Sequence, residues 1–385
     1  MSDLNSTPRG ERLHIGIFGK RNRGKSTLMN AITGQSAAVV SPTAGTTTDP
    51  VYKAMELLPV GPVVLIDTAG IDDTGDLGEL RTSKSREILR KCDIALLVVD
   101  SRGCTAFDVH EQALIDTFDE LSVRYMVVYN DFSDNFAETL PALKSKLTEI
   151  AADNAPKQHL IADLLKAGDV IVLVTPIDES APKGRLILPQ QQVIRDALEA
   201  GAFPLLTQTA GLSQALAALK SAPRLVVTDS QAFGQVAKAV GENQPLTSFS
   251  ILFARYKGVL KESVRGAKAI DTMKHGDKVM ISEGCTHHKQ CDDIGTVKLP
   301  RMLERHTGVA LDYTFTSGGE FPDSADLAAY KLIIHCGGCV LNGREMRHRQ
   351  SAAVNAHTPM TNYGVAISHM QGILERCVCE FKNIF

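Results

Sequence analysis

Two groups of residues in this 385-residue chain have the types and spacing to do chemistry. The first is Gly19-Lys-Arg-Asn-Arg-Gly24-Lys25-Ser26-Thr27, a GxxxxGKS pattern set between an apolar run and a helical stretch. Glycines at both ends let backbone N–H groups turn inward around phosphates, and the helix N-terminus adds its positive dipole end. Lys25 is placed to reach the β- and γ-phosphates and Ser26 to bind Mg²⁺, with Gly19, Asn22, Arg23, Gly24 and Thr27 completing the cradle. Asp67-Thr-Ala-Gly70 ends a second apolar run. That position suits an Asp67 contact to Mg²⁺ through water and a Gly70 N–H that senses the γ-phosphate. Between them Thr46, Thr47 and Thr48 supply a switch loop, one of them to close on Mg²⁺. Three pieces in this order make a GTPase core.

The second group is rich in soft ligands. Of eight cysteines only Cys92 and Cys104 precede residue 285, and eight of eleven histidines lie between His275 and His369. Two clusters stand out: Glu283-Gly-Cys285-Thr-His287-His288-Lys-Gln-Cys291-Asp292, and His335-Cys336-Gly-Gly-Cys339. Each begins where an apolar strand ends, and ligands gather outside the carboxyl ends of strands in α/β sheets. A CxxC turn carrying two glycines lets both sulfurs face one metal. Three thiolates, Cys285, Cys336 and Cys339, suit a [4Fe–4S] cluster with one iron left for another ligand; with His287 they equally suit Cys₃His zinc.

The elements that must position these groups are α/β throughout. Short apolar strands at 13–18, 63–67, 94–100, 125–130 and 170–175 alternate with helices, which predicts a parallel sheet covered on both faces, with 51–58 as an antiparallel edge. A Pro- and Gly-rich stretch after residue 177 reads as a linker. Beyond it come a helix at 190–200, a strand at 224–228, a helix at 231–240 and a strand at 247–253. The last third reads as helix 261–273, strand 277–282, helix 297–306, strands 312–316 and 331–335, and helix 365–377. Three domains result: 1–178, 179–260 and 261–385. No internal repeat or low-complexity tract is evident.

Composition narrows the function classes. With 41 basic and 44 acidic residues the net charge is −3 and the pI near 6.4, without the basic footprint of a nucleic-acid binder. No run of 18 apolar residues and no signal-peptide core appears, so a cytoplasmic protein with no membrane partner is expected, its cysteines reduced.

The nucleotide motifs resemble the GTPases related to tRNA-modification and Era proteins. Asn22 stands where their potassium-stimulated members hold K⁺ near the phosphates, and Ile71 replaces the glutamine that orients water in signalling GTPases. The resemblance thus implies slow, K⁺-stimulated GTP hydrolysis. The guanine-reading Asn-Lys-x-Asp is altered: Asn130 matches, but Asp131 and Ser133 replace lysine and aspartate, with Asp134 one residue late. Relaxed guanine selectivity is expected.

Cys285-x-His287 followed by His335-Cys336-x-x-Cys339, with Asp292-Asp-Ile-Gly-x-Val-Lys298-x-Pro300 and Thr361-Asn-Tyr-Gly-Val-Ala, resembles the [FeFe]-hydrogenase maturation GTPase family. The match spans almost the whole chain; only the middle region adds little. It implies a Ras-like P-loop GTPase domain, a small α/β dimerisation domain and an α/β cluster-binding domain, in a homodimer. It further implies a [4Fe–4S] cluster on Cys285, Cys336 and Cys339, with His287, His335 or Asp292 at the fourth position. Its cargo would be the diiron precursor of the hydrogenase active site, and its partners two radical-SAM maturases and the apo-hydrogenase. Lys298 would neutralise the anionic cluster or cargo. The competing readings are an Era- or tRNA-modification-type GTPase with a zinc-stabilised nucleic-acid module, and a CxxC redox sensor.

Overall fold

The computed structural model describes residues 7–34, 50–68, 70, 76–102, 106–131, 136, 138–154, 159–176, 186–285, 293–319, 321–381 and 384. Thr46, Thr47, Thr48, Ile71, Cys104, Ser133, Asp134, His287, His288, Cys291 and Asp292 lie outside them. The chain divides into two compact units, Met1–Ala155 and Pro156–Phe385.

In the first unit, strands β1 (Leu13–Phe18), β2 (Val51–Leu57), β3 (Gly61–Asp67), β4 (Ile94–Asp100) and β5 (Arg124–Asn130) form one sheet in the order β2-β3-β1-β4-β5. Only β2, at the edge, runs antiparallel, as expected. Helices α1 (Lys25–Thr33), α2 (Asp76–Lys91), α3 (Val109–Glu120) and α4 (Thr139–Asn154) alternate with the strands. Continuous apolar strands such as Ile94–Asp100 bury both faces, so separate cores lie on the two sides of the sheet.

The sixth strand expected here is absent from this sheet. Residues Val170–Val174 (β6) instead take a central place in another, pairing with β7 (Phe203–Thr207) on one side and β8 (Leu225–Thr228) on the other. Five consecutive apolar residues fit the centre of any parallel sheet, and the run carries no mark of its neighbours. A fragment ending at 155 should therefore fold and bind nucleotide. One ending at 178 should aggregate, because it carries β6 without a sheet; gel filtration and thermal melting of the two fragments check this.

The second unit holds two four-stranded parallel sheets, β7-β6-β8-β9 and β11-β10-β12-β13. Their remaining strands are β9 (Leu246–Ser248), β10 (Lys278–Glu283), β11 (Asp312–Ser317), β12 (Leu332–His335) and β13 (Met360–Asn362). Helices α5 (Leu188–Glu199), α6 (Leu212–Ala217), α7 (Phe233–Ala239) and α8 (Phe249–Tyr256) belong to the first half, and α9 (Leu260–Ala267), packed on β13, opens the second. Helices α10 (Leu299–Thr307), α11 (Ser324–Leu327), α12 (Gly343–Asn355), α13 (Tyr363–Met370) and α14 (Leu374–Val378) complete the second. One hydrophobic core runs through both halves, and a smaller one around Met280, Ile333 and Ala353 lies on the second sheet.

Two expected elements change type or length here. The strand predicted at 247–253 stops at Ser248, whose hydroxyl accepts the Ile251 N–H and starts α8. That helix is apolar but for Ser250 and Arg255 and is mostly buried, and periodicity alone cannot tell such a run from a strand. The helix predicted at 365–377 is two helices, broken near Gly372 with φ +70.

A repeat is present after all. Both sheets share one topology, and each opens on a Gly–Asp turn with a left-handed glycine, Gly168-Asp169 and Gly276-Asp277. In each the aspartate accepts the N–H three residues earlier, Lys166 or Lys274, at 2.8 Å. Each closes on a three-residue strand whose last residue, Ser248 or Asn362, caps an eight-residue helix. Residues 245–258 and 359–372 correspond but share few identities, mainly Pro245/Pro359, Thr247/Thr361 and Gly258/Gly372.

Candidate functional site

The phosphate loop is built by the strand–turn–helix passage from β1 to α1. Asn22 adopts φ +57 and Gly24 φ +92, and Gly24 starts α1. Lys25 is buried, its ammonium donating to the Gly19 carbonyl at 3.0 Å and the Lys20 carbonyl at 2.7 Å. A cation held by the loop's own carbonyls lies where a phosphate would compete for it. Ser26 Oγ donates to Asp67 Oδ2 at 2.6 Å, while the buried Asp67 Oδ1 has no partner among the described residues. Burial pushes the Asp67 carboxyl upward, against the Ser26 bond and Lys25. A hard, under-satisfied carboxylate beside a serine hydroxyl fits Mg²⁺.

Gly70 lies against the loop, where a Cβ would come within 2.6 Å of the Arg21 nitrogen. Asn130, at the end of β5, is buried and donates from Nδ2 to the Arg23 carbonyl at 2.9 Å. A Cβ on Gly24 would collide with that same amide nitrogen, so Gly24 and Asn130 need one another. The Arg23 side chain turns to Asp100 at 2.5 Å, so Arg23 serves the cradle through its backbone. Thr27, in the first turn of α1, is exposed. The structure thus gathers Gly19, Asn22, Arg23, Gly24, Lys25, Ser26, Asp67, Gly70 and Asn130.

The second site follows from the register of β10 and β12. These strands are parallel neighbours with Ser282 opposite His335, so the loops after them leave side by side. Cys336 N–H donates to the Ser282 carbonyl at 2.8 Å. Cys336 Sγ accepts from Gly284 N–H at 3.1 Å and Gly338 N–H at 3.3 Å. Burial pushes Cys285 up to about 12, with Cys336 and Cys339 adding to it. Cys336 rises to about 11 for the same reason, opposed by its two N–H donors. Burial raises Cys339 as well, against Lys257. The three thiols are therefore protonated without a metal, and a metal would displace their protons.

Among the described residues no group of three or more His, Cys, Asp or Glu closes on one ion. Thiolates on separate irons of a cluster stand farther apart than thiolates on one zinc. Cys285, Cys336 and Cys339 are close enough to influence one another electrostatically, and with two amide donors on the Cys336 sulfur their donor chemistry suits iron–sulfur iron or zinc.

His335 is engaged at both ring nitrogens. It is fully buried, with Nε2 3.1 Å from Arg349 Nη1 and Nδ1 2.8 Å from the Cys336 carbonyl. A guanidinium only donates, so Nε2 accepts and Nδ1–H holds the Cys336 carbonyl. Burial, then Arg349, lowers the ring to about 3, keeping it neutral. Arg349 also donates to Glu345 at 2.6 Å and the Gly318 carbonyl at 2.9 Å. Arg349→Met should therefore cost about 3–5 kcal/mol by leaving Glu345 buried without its partner. A fall in the urea midpoint of the second unit, followed by circular dichroism, checks it.

Glu283 and Lys257 carried no assigned role in the sequence, and Lys298 is placed differently from its expected one. Glu283 is buried and accepts from Tyr363 Oη at 3.1 Å. Lys257, from the first repeat, reaches the loop after β12. Lys298, expected to face the cluster, donates to Gln231 of the first repeat at 3.2 Å. Glu283 and Lys257 have no local signal, because each acts on a residue remote in sequence. Cys377 is buried in the core, in keeping with packing.

Comparison with known proteins follows the same division. Residues 14–131 match a family model described as 50S ribosome-binding GTPase. Residues 160–258 match the hydrogen maturase F dimerization domain, and 261–380 the hydrogen maturase F tetramerization domain. A tRNA modification GTPase MnmE from Chromobacterium violaceum is 44% identical over 98 residues, 25% of this chain and 22% of that protein. GTPase Der from Wolinella succinogenes is 40% identical over 122 residues, 31% of this chain and 25% of its own. MnmE from Endomicrobium trichonymphae is 34% identical over 188 residues, 46% and 39% respectively. The chain thus spans well under half the length of these relatives. Among the described residues no helix is long and apolar enough to cross a membrane.

Proposed function

The chain belongs to the hydrogen maturase F family, with a GTPase domain at its N-terminus, and we propose that it is a GTP-hydrolysing carrier of an iron–sulfur cluster. In this reading Cys285, Cys336 and Cys339 hold a [4Fe–4S] cluster, which supplies an iron with an exchangeable position. The diiron precursor of the [FeFe]-hydrogenase active site is the cargo, received from radical-SAM maturases and handed to the apo-hydrogenase in the cytoplasm. The fourth position falls to His287 or Asp292; His335 is occupied with Arg349 and Cys336. Two family models named for dimerization and tetramerization support an oligomer.

The observation that carries the proposal is the pair of cysteine loops leaving adjacent parallel strands, with two backbone N–H groups on the Cys336 sulfur. Such donors stabilise a thiolate once it is formed. GTP, Mg²⁺ and K⁺ act at the other unit, Lys25 on the phosphates, Ser26 and Asp67 on Mg²⁺, and Asn22 on K⁺. Hydrolysis there would switch partner contacts rather than perform cluster chemistry.

Anaerobic purification from iron-fed cells, followed by metal and sulfide analysis and EPR after dithionite reduction, tests the reading. Roughly four irons and four sulfides per chain are expected. One tightly bound zinc and no colour would overturn it in favour of a zinc-stabilised module.

Base recognition carries its own prediction. With Ser133 in place of the aspartate that accepts hydrogen bonds from guanine, ATP should compete with a fluorescent GTP analogue at an affinity within about tenfold of GTP's. A strict preference for GTP would assign the guanine contact to Asp134.

A further inference from the structure

The two repeats of the second unit exchange helix ends, and the exchange is unequal in charge. The helix that closes the first repeat, α8, ends at Lys257 against the loop after β12. The helix that closes the second, α13, ends at Gln371, near Gly234 in the segment after β8. Lys257 and Gln371 occupy the same repeat position, each followed by a left-handed glycine, Gly258 at φ +76 and Gly372 at φ +70. Where the facing loop has no cysteine the repeat places a neutral amide. Where it holds Cys336 and Cys339 the repeat places a cation.

The lysine is 1% exposed, and burying an ammonium is costly unless strong partners receive it. Its Nζ donates to the Gly338 carbonyl and, at 2.6 Å, to the Leu341 carbonyl. These two carbonyls bracket Cys339. The ammonium also lies 5.3 Å from the centroid of the Phe253 ring, which backs it on the first-repeat side. One buried cation from the first repeat thus clamps both sides of a candidate ligand in the second.

We propose that Lys257 is a positioning residue for cluster binding, its buried ammonium fixing the loop around Cys339 through the carbonyls on either side of that cysteine. The inference rests on the cysteine-cluster reading above. Groups that orient and compensate metal ligands change metal retention by about tenfold to a hundredfold when removed.

The test uses full-length protein and its repeat's own alternative, Lys257→Gln, because Gln371 shows that an amide is accommodated at this position. Iron loss to a chelator is followed anaerobically, and thermal melting is recorded on metal-free protein. The expected result is melting close to the parent's with iron lost at least about tenfold faster, and slower loss again in Lys257→Arg, which keeps the charge. A Lys257→Gln protein that folds and retains iron at the parent's rate overturns the inference while leaving the cluster reading intact. If Lys257→Gln does not fold, Lys257→Arg decides: retention of iron supports the role, and rapid loss overturns it. Failure of both variants to fold without metal makes Lys257 a structural staple and ends the inference. A parent protein that binds no iron removes the cluster reading and this inference together.

Discussion

Lys25→Ala should reduce GTP turnover at least about a hundredfold, the usual scale for removing one preorganised donor from a developing negative charge. In the structure the ammonium is buried and held by two carbonyls of its own loop. It is therefore in place before phosphate arrives, and binding exchanges carbonyl partners for anionic ones. The loss should exceed that from Asn22→Ala, which removes only the asparagine assigned to K⁺. Phosphate release measured with K⁺ and then with Na⁺ separates the two. The lysine variant should be slow in both salts, while the asparagine variant should match the parent in Na⁺ and lose the K⁺ increment. Melting of Lys25→Ala near the parent temperature would show that the deficit is not unfolding. Turnover within a few-fold of the parent would remove Lys25 from the phosphate site.

The nucleotide site was legible because its chemistry is local. Glycines, lysine and serine stand next to one another, and the turn they need is the turn they form. Asp67 and Asn130 were legible for a related reason: each ends an apolar strand, and the ends of parallel strands share one edge. The bond from Asn130 to the Arg23 carbonyl was not, since it joins loops far apart in sequence.

The second unit shows where such reading stops. The existence of β6 and β8 followed from their apolar runs, but which strands they join depends on pairing that no local pattern encodes. The repeat was hidden because its signature is conformational: two left-handed glycines, two aspartate-closed turns and two capped helices, with side chains free to diverge between them. Its consequence is chemical. The first repeat carries no cysteine cluster of its own, yet the end of α8 supplies Lys257 to the loop that holds the second repeat's Cys336 and Cys339. Read alone, the middle of the sequence has little chemistry; in the structure it buttresses the thiol site.

Cys336→Ser should lower iron and sulfide from roughly four each to below about one per chain. The serine oxygen can still accept from Gly284 and Gly338, so the loop keeps its hydrogen bonds and the protein should fold. Iron loss would then report ligation alone, a hydroxyl being a far poorer ligand for iron–sulfur iron than a thiolate. Cys377→Ser supplies the contrast: that sulfur lies in the core, so the change should lower stability and leave iron per folded chain unaltered. His335→Gln separates a ligand from a support. With both ring nitrogens engaged by Arg349 and the Cys336 carbonyl, His335 should behave as a support, losing melting temperature while retaining the four-iron stoichiometry. A His335→Gln protein of parental stability that has lost its iron would instead place His335 on the cluster. It would also mean that the ring leaves Arg349 when the cluster binds.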